Sequence, residues 1–227
     1  MIPNATAPPL FSGAFEAHVT VRATPPHPLS PSPETEALER YAAAHGMAFV
    51  DIVLDRGRTP HQPMLTLRES GALPAVRQAV EDAVRRLRAA GFDVTRTKIE
   101  ASPWADGVPD TDEAATVLGA RYYFEHHVKL LLPPGADTSA LVRLAGPHTA
   151  HLSRNARRLR ADGRAERFVT QRCRLVGRRT AGERLDALVA ELRRSGHEVA
   201  SVEREFVVHD SDESLDAGWI TEERTDA

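Results

Sequence analysis

Two short segments of this chain carry the same acidic and basic residues in the same order. Phe15-Glu16-Ala17-His18-Val19 and Phe124-Glu125-His126-His127-Val128 agree at four of five positions. In an extended strand, side chains two positions apart lie on the same face, so each segment presents a glutamate beside a histidine. An imidazole beside a carboxylate can transfer protons or bind a divalent metal. The first candidate catalytic residues are therefore His18 and His127.

These segments open two halves of the chain that resemble each other throughout. Residues 37–45 match residues 140–148 at five of nine positions, and Leu87-Arg88-Ala89-Ala90-Gly91 corresponds to Leu192-Arg193-Arg194-Ser195-Gly196. The offset between matched positions stays between 103 and 109 residues. Self-similarity at a nearly fixed offset indicates a duplicated structural unit.

Hydrophobic periodicity predicts the same order of elements in each half, β-α-β-β-α-β. The predicted strands of the first half cover residues 14–21, 47–54, 64–67 and 94–101, and its helices cover residues 34–45 and 75–87. This order is that of a ferredoxin-like unit, in which both helices cover one face of four antiparallel strands. The predicted fold class is α+β, with tandem duplicated ferredoxin-like units whose antiparallel sheets carry helices on their outer faces.

The same pattern predicts the domain organisation. A polar segment that contains proline lies between the two halves. An acidic tail, with a few apolar residues near Trp219, follows the second half. The predicted boundaries are an N-terminal extension 1–13, a first ferredoxin-like repeat 14–102, a linker 103–120, a second ferredoxin-like repeat 121–209 and an acidic C-terminal tail 210–227.

The fourth strands add a carboxylate to each half, because aligning Gly91 with Gly196 places Glu100 opposite Glu205. In a ferredoxin-like sheet the fourth strand neighbours the first, so each half brings one histidine and one glutamate to a space between the halves. Two imidazoles and two carboxylates suit one divalent Zn, Mn, Fe or Ni ion, and they equally suit acid–base work without a metal. The candidate metal ligands are His18, Glu100, His127 and Glu205.

Polar residues replace an apolar strand in the second half, where residues 151–155 stand in place of residues 48–52. We expect Arg154, together with Arg167 and Arg172, to form a clamp for a carboxylate or phosphate, because guanidinium groups match these anions in shape. This clamp indicates a small anionic substrate. The alternative is an exposed edge strand kept soluble by charge. The candidate substrate-binding residues are Thr20, Lys129, Ser153, Arg154, Arg167 and Arg172.

Two families have motifs similar to these. His18-Val19-Thr20 and His151-Leu152-Ser153 resemble the paired His-x-Thr/Ser motifs of two-histidine phosphoesterases, which are duplicated α/β proteins. The resemblance implies that His18 and His151 are the catalytic base and acid and that the hydroxyl residues hold a phosphate. The two motifs fall on non-equivalent strands of the repeats, since the strand equivalent of His18 is His127.

The set of His18, Glu100, His127 and Glu205 is also similar to the vicinal-oxygen-chelate metalloenzymes. Their paired modules give a histidine from the first strand and a glutamate from the last strand to one divalent metal. Those modules have the order βαβββ, whereas a second helix is predicted in each half of this chain.

Composition narrows the class of protein. A net charge of −3 with dispersed arginines does not favour nucleic acid as a partner. A single cysteine fits a reducing cytoplasm, no basic and apolar leader is evident, and no stretch approaches the ~20 apolar residues that cross a bilayer. We therefore expect a cytoplasmic small-molecule enzyme with its site between the repeats. The alternatives are a metal-free two-histidine phosphoesterase and a non-catalytic binding or assembly module.

Overall fold

The structure, a computed structural model, describes residues 9–24, 32–156 and 161–220. Its first half contains β1 (Ser12–Val21), α1 (Pro33–Ala44), β2 (Ala48–Leu54), β3 (His61–Ala72), α2 (Leu73–Ala89) and β4 (Val94–Ala101). After α3 (Asp112–Leu118), the second half contains β5 (Tyr123–Leu132), α4 (Ser139–Ala145), β6 (Ala150–Asn155), β7 (Ala165–Arg174), α5 (Arg178–Arg194) and β8 (Glu198–Asp210). The predicted β-α-β-β-α-β order of each half is therefore confirmed.

The segments outside the two repeats contain some regular structure. The segment predicted as a linker includes α3, and the segment predicted as a tail continues from β8 into a short 3-10 helix over Glu213–Asp216. Residues 1–8 of the predicted N-terminal extension and residues 221–227 of the predicted tail lie outside the described residues. The exact domain boundaries stay a prediction.

All eight strands form one closed antiparallel barrel with the order β1-β3-β2-β6-β7-β5-β8-β4. Each half contributes four neighbouring strands in the ferredoxin-like order, with the fourth strand next to the first. The halves then join at two seams, where β2 pairs with β6 and β4 pairs with β8. Because both edges of each half are paired, the barrel leaves no sheet edge open among these strands.

Successive residues of each strand point alternately to the outer face and to the inner face of the barrel. On β1, Phe15, Ala17 and Val19 are buried in the core cluster between the sheet and the helices. The apolar stripes of α2 and α5, at helical spacing, cover this outer face of the two halves. The hydrophobic cores therefore lie outside the barrel, and Glu16 and His18, which alternate with these apolar residues on β1, face its interior.

The C-terminal segment packs against the barrel. Trp219 is buried, and its Nε1 donates a hydrogen bond of 2.8 Å to the backbone oxygen of Leu152 on β6. Asp216 is also buried and contacts Gln62 of β3 through a hydrogen bond of 3.2 Å. These two residues contribute to the wall of the barrel interior.

Candidate functional site

The two repeated histidines face the barrel interior and have equivalent surroundings. His18 Nε2 lies 2.9 Å from Glu100 Oε2, and its Nδ1 lies 3.0 Å from Thr66 Oγ1. His127 Nε2 lies 3.2 Å from Glu205 Oε2, and its Nδ1 lies 3.0 Å from the Oγ1 of Thr170. In each repeat, the first, third and fourth strands thus hold one imidazole between a hydroxyl and a carboxylate.

An arginine completes the set in each repeat. Glu16 lies opposite Arg68 in the pairing of β1 with β3, and their side chains form an ion pair of 2.8 Å. Glu125 lies opposite Arg172 in the pairing of β5 with β7, and their side chains form an ion pair of 2.5 Å. Each repeat therefore contributes the same five side chains: two glutamates, a histidine, a threonine and an arginine.

Sequence reasoning missed the threonines and Arg68. Thr66-Leu67-Arg68 and Thr170-Gln171-Arg172 show the same Thr-x-Arg spacing on the equivalent third strands. The offset between them lies within the range of the other matched positions. This repeated spacing was the signal that could have identified them.

All residues of the two equivalent sets except Glu100 line a cavity of about 310 Å³ inside the barrel. One wall, which we call the polar wall, consists of inward residues of β1, β4, β5 and β8: Glu16, His18, Lys98, Glu125, His127, Glu203 and Glu205. The opposite wall, which we call the apolar wall, consists of Val50, Ile52, Leu54, Met64 and Phe168. A cavity of this size, with polar groups on one side and apolar groups on the other, suits a small organic molecule.

Buried ion pairs connect the two repeats beside the cavity. Lys98 Nζ lies 2.6 Å from Glu100 Oε1 and 2.5 Å from Glu125 Oε1. Arg172 contacts both Glu125 and Asp216 at 2.5 Å, and Arg96 contacts Asp216 at 3.0 Å. These six charged groups, from both repeats and from the C-terminal segment, thus neutralise one another, as buried charges must.

The equivalent glutamates have opposite electrostatic behaviour. Burial alone raises the pKa of Glu100, but the charges of Lys98 and His18 outweigh it and hold that pKa well below its ordinary value. Burial, and then the negative charge of Glu100, raise the pKa of Glu205. Burial opposes protonation of His127, yet its contact with Glu205 raises the pKa of His127 to about 9. Glu100 therefore stays ionised to a lower pH than Glu205, although the two residues are equivalent in the repeats.

The remaining substrate-binding candidates divide between the two faces of the barrel. Thr20, Lys129 and Ser153 line the cavity, as Arg172 does. Arg154 and Arg167 alternate with the cavity-lining residues of β6 and β7, so they lie on the outer face of the sheet. The arginine clamp expected from the sequence is therefore not assembled. Arg172 faces the cavity, whereas Arg154 and Arg167 face the other side of the sheet.

His151 does not join His18. Its ring lies 6.0 Å from the ring of Trp219, and its Nδ1 lies 3.4 Å from Arg56 Nη2. Burial, and then the positive charge of Arg56, lower the pKa of His151 to about 4. His18 lies on β1 and His151 on β6, with β3 and β2 between them. The geometry therefore does not bring together the two histidines of the phosphoesterase-like motifs.

Among the residues that the structure describes, two groups of side chains have the spacing of metal ligands. Ligand atoms of Glu16, His18 and Glu205 lie within 4.8 Å of one another, and so do those of Glu100, Glu125 and His127. The four ligands expected from the sequence are thus distributed over two clusters, and Glu16 and Glu125 join them. Both of these glutamates belong to the repeated Glu-x-His segments of β1 and β5.

Comparisons with known proteins give no family for this chain. No family model and no curated protein matches it. The solved structures that match at low similarity include the small subunit of acetolactate synthase from Thermotoga maritima and a chlorite dismutase variant from Candidatus Nitrospira defluvii. The first has 12% identity, a TM-score of 0.29 and coverage of 86% of this chain and 94% of that chain. The second has 13% identity, a TM-score of 0.26 and coverage of 90% and 93%.

Neither of the two families with similar motifs is supported by these comparisons. The second helix in each repeat also differs from the βαβββ order of the vicinal-oxygen-chelate modules. Within residues 9–24, 32–156 and 161–220, no helix is both long and apolar enough to span a bilayer.

Proposed function

We propose that the barrel interior is the active site of an enzyme that acts on a small organic molecule. The observation that carries this proposal is the presence of two equivalent histidines, one from each repeat and each held by a threonine and a glutamate, on one wall of a single cavity. Each imidazole has its ring orientation fixed by a hydroxyl on Nδ1 and a carboxylate on Nε2. Oriented histidines beside a cavity are the usual groups for proton transfer and for metal binding.

The two walls suggest the shape of the substrate. Its apolar part packs against Val50, Ile52 and Phe168, which face the cavity without being fully buried. Its reacting polar group then lies against His18 and His127 on the opposite wall. This arrangement supports a molecule that is apolar at one end and carries oxygen or nitrogen donors at the other.

An acidic group on the substrate has one suitable partner in the cavity. Lys129 Nζ lies 4.0 Å from Glu166, a longer separation than those of the ion pairs of Lys98 and Arg172. We therefore assign Lys129 the role of binding an anionic group, with Thr20 and Ser153 as additional donors. This narrows the expected set of substrate-binding residues to those that line the cavity.

The cavity argues against a duplication that serves only to close a core. A non-catalytic module predicts packed side chains around His18, whereas His18 lines an interior space of about 310 Å³. A cytoplasmic location, for which the lone Cys173 is the supporting feature, remains part of the proposal.

A binding screen with a cavity-filling variant tests the proposal. Compounds with an apolar body and a donor group are screened by thermal shift, and positive compounds are then incubated with the protein and analysed for products by mass spectrometry. Ile52→Trp fills the apolar wall and is expected to abolish binding, whereas Val117→Trp, at an exposed position on α3, leaves binding unchanged. His18→Gln and His127→Gln are expected to retain binding and to abolish conversion. Binding that persists in Ile52→Trp, or conversion that persists in both histidine variants, overturns the proposal.

A further inference from the structure

The acidic and imidazole groups of the two equivalent sets form two clusters that are related by exchange of the repeats. We call Glu16, His18 and Glu205 the open cluster, and Glu125, His127 and Glu100 the filled cluster. Each cluster takes the Glu-x-His segment of one repeat and the last-strand glutamate of the other repeat. Both repeats are therefore needed to build either cluster.

The filled cluster already holds a cation that belongs to the protein. The ammonium group of Lys98 lies 2.6 Å from Glu100 and 2.5 Å from Glu125, two of the three members of that cluster. Both carboxylates are buried, and a buried carboxylate requires a compensating positive charge. Lys98 thus occupies the position in which a metal ion would bridge these groups.

The open cluster has no equivalent ammonium group. Lys98 lies opposite His18 in the pairing of β4 with β1, and the residue opposite His127 in the pairing of β8 with β5 is Glu203. The position that supplies a positive charge to the filled cluster therefore supplies a carboxylate beside the open cluster. Glu203 lines the cavity on the same wall.

The contacts that the open cluster makes are also weaker. Arg68 reaches Glu16 through one contact of 2.8 Å, and its side chain is 72% exposed, so this ion pair contributes little. Glu205 contacts His127 of its own repeat at 3.2 Å. The open cluster therefore carries two carboxylates with less compensation than those of the filled cluster.

We propose that the open cluster binds one divalent transition-metal ion through Glu16, His18 and Glu205, and that Lys98 prevents a second ion from binding in the filled cluster. One imidazole and two carboxylates are ligands that suit Zn, Mn, Fe or Ni, and three protein ligands leave positions for a substrate. Coordination by His18 replaces one of its contacts with Thr66 or Glu100, and the other contact then orients the ring. This inference deepens the proposed function by naming the cofactor class.

Metal stoichiometry tests the inference without any measurement of turnover. The full chain is freed of metal, dialysed against MnCl₂ or ZnCl₂ and analysed by inductively coupled plasma mass spectrometry. The expected result is one ion per chain for the wild type. His18→Ala is expected to lose this ion, and Lys129→Met, which removes a cavity lysine outside both clusters, is expected to retain it.

Two variants exchange the properties of the clusters. Glu203→Lys places an ammonium group at the position equivalent to Lys98, and we expect it to weaken metal binding at least about a hundredfold through charge repulsion. Glu203→Gln is its matched control and retains the ion. Lys98→Met opens the filled cluster, and we expect two ions per chain together with a melting temperature that rises with added metal.

The outcomes are distinct. No saturable binding of either metal by the wild type, or equal affinity in Glu203→Lys and Glu203→Gln, overturns the inference even if Lys98→Met does not fold. Loss of the metal proposal leaves the ligand-binding screen intact, since that screen is performed without added metal. Conversely, if the protein binds the metal ion but none of the screened compounds, this result contradicts the proposed enzyme function and leaves the metal site intact.

Discussion

Asp216 is a buried carboxylate that two buried arginines share, while Arg96 also pairs with Asp210 and Arg172 also pairs with Glu125. It contacts Arg172 at 2.5 Å and Arg96 at 3.0 Å, and these interactions lower the pKa of Asp216 to about 2 despite its burial. Asp216→Asn leaves both guanidinium groups short of a negative charge. We expect this variant to lose about 3–5 kcal/mol of unfolding free energy, measured by urea denaturation at pH 7.

An exposed carboxylate gives the matched comparison. Asp82 pairs with Arg85 on the surface of α2, and Asp82→Asn is expected to cost no more than about 1 kcal/mol. Equal effects of the two substitutions would mean that the ion pairs beside the cavity are solvated rather than buried.

His126 lies next to the site residues in sequence but points to the outer face, and it predicts an acid limit to stability. Burial, and then the charges of His127 and Arg204, lower the pKa of His126 from 6.5 to about 4, although its contact with Gln171 opposes the shift. The unfolded chain therefore binds more protons than the folded protein between these pH values. The stability that neutral His126 contributes is complete above about pH 6.5 and is lost as the pH falls towards 4.

This contribution is measured as the slope of unfolding free energy against pH. We expect stability to fall between pH 6.5 and 4 and His126→Asn to reduce that fall by an amount on the order of 3 kcal/mol. A slope that is the same in the variant and the wild type would show that His126 titrates normally.

At the level of single residues, repetition was the informative signal. His18, His127, Glu100 and Glu205 were predicted because the same residue types recur at equivalent strand positions, and the structure places each histidine against the glutamate of its own repeat. The sequence did not predict that each cluster combines the Glu-x-His segment of one repeat with the last-strand glutamate of the other. That combination depends on how the two sheets are staggered. The same holds for Lys98, whose role arises from a contact with the other repeat.

The helices show where local sequence rules succeed and fail. Ser32 caps α1 by accepting a hydrogen bond from the Thr35 amide, with Pro33 as the first helical residue, as the Ser-Pro pattern predicts. The spacing of Thr180 and Glu183 has the form of a capping box, but it does not mark the start of α5. That helix begins at Arg178, and its N-cap is Gly177.

The start of α5 is determined by tertiary packing. The amide of Gly177 donates a hydrogen bond of 2.8 Å to Asp112 Oδ1 at the start of α3. A Cβ atom at this glycine lies 2.4 Å from the backbone oxygen of Asp110, which is closer than real contacts allow. Only glycine permits this approach, and a capping rule that considers one helix alone does not include it.

Glycine substitutions in this helix therefore have opposite predicted effects. Gly177→Ala is expected to lower the melting temperature by several degrees, since the backbone of residues 110–111 must move. Gly182→Ala, inside the same helix with nothing near the added methyl group, is expected to stabilise the protein by about 0.5–1 kcal/mol. Differential scanning calorimetry compares the two, and a stable Gly177→Ala variant would contradict the close approach.

The whole molecule is a barrel because each repeat leaves two sheet edges that the other repeat pairs. β2 of the first half pairs with β6 of the second, and β4 pairs with β8. The sequence predicted the strands of both halves, but it did not predict closure. Closure depends on twist and on edge registers that carry no local pattern.

Separation of the repeats tests this architecture. A fragment of residues 9–120 keeps β1 to β4, but it leaves one edge of β2 and one edge of β4 unpaired. Unpaired edges favour association, so we expect this fragment to form homodimers or larger assemblies by light scattering. A stable monomeric fragment with native-like circular dichroism would show that the edges are protected within one repeat.

The central claim is that both repeats place their histidines against the same cavity inside the barrel. A crystal structure of protein purified without chelator, with data collected at the absorption edges of Zn, Mn, Fe and Ni, measures this most directly. We predict that His18 and His127 face the same interior space and that an anomalous peak lies among Glu16, His18 and Glu205. Histidines that point to bulk solvent on different faces of the molecule would contradict the account.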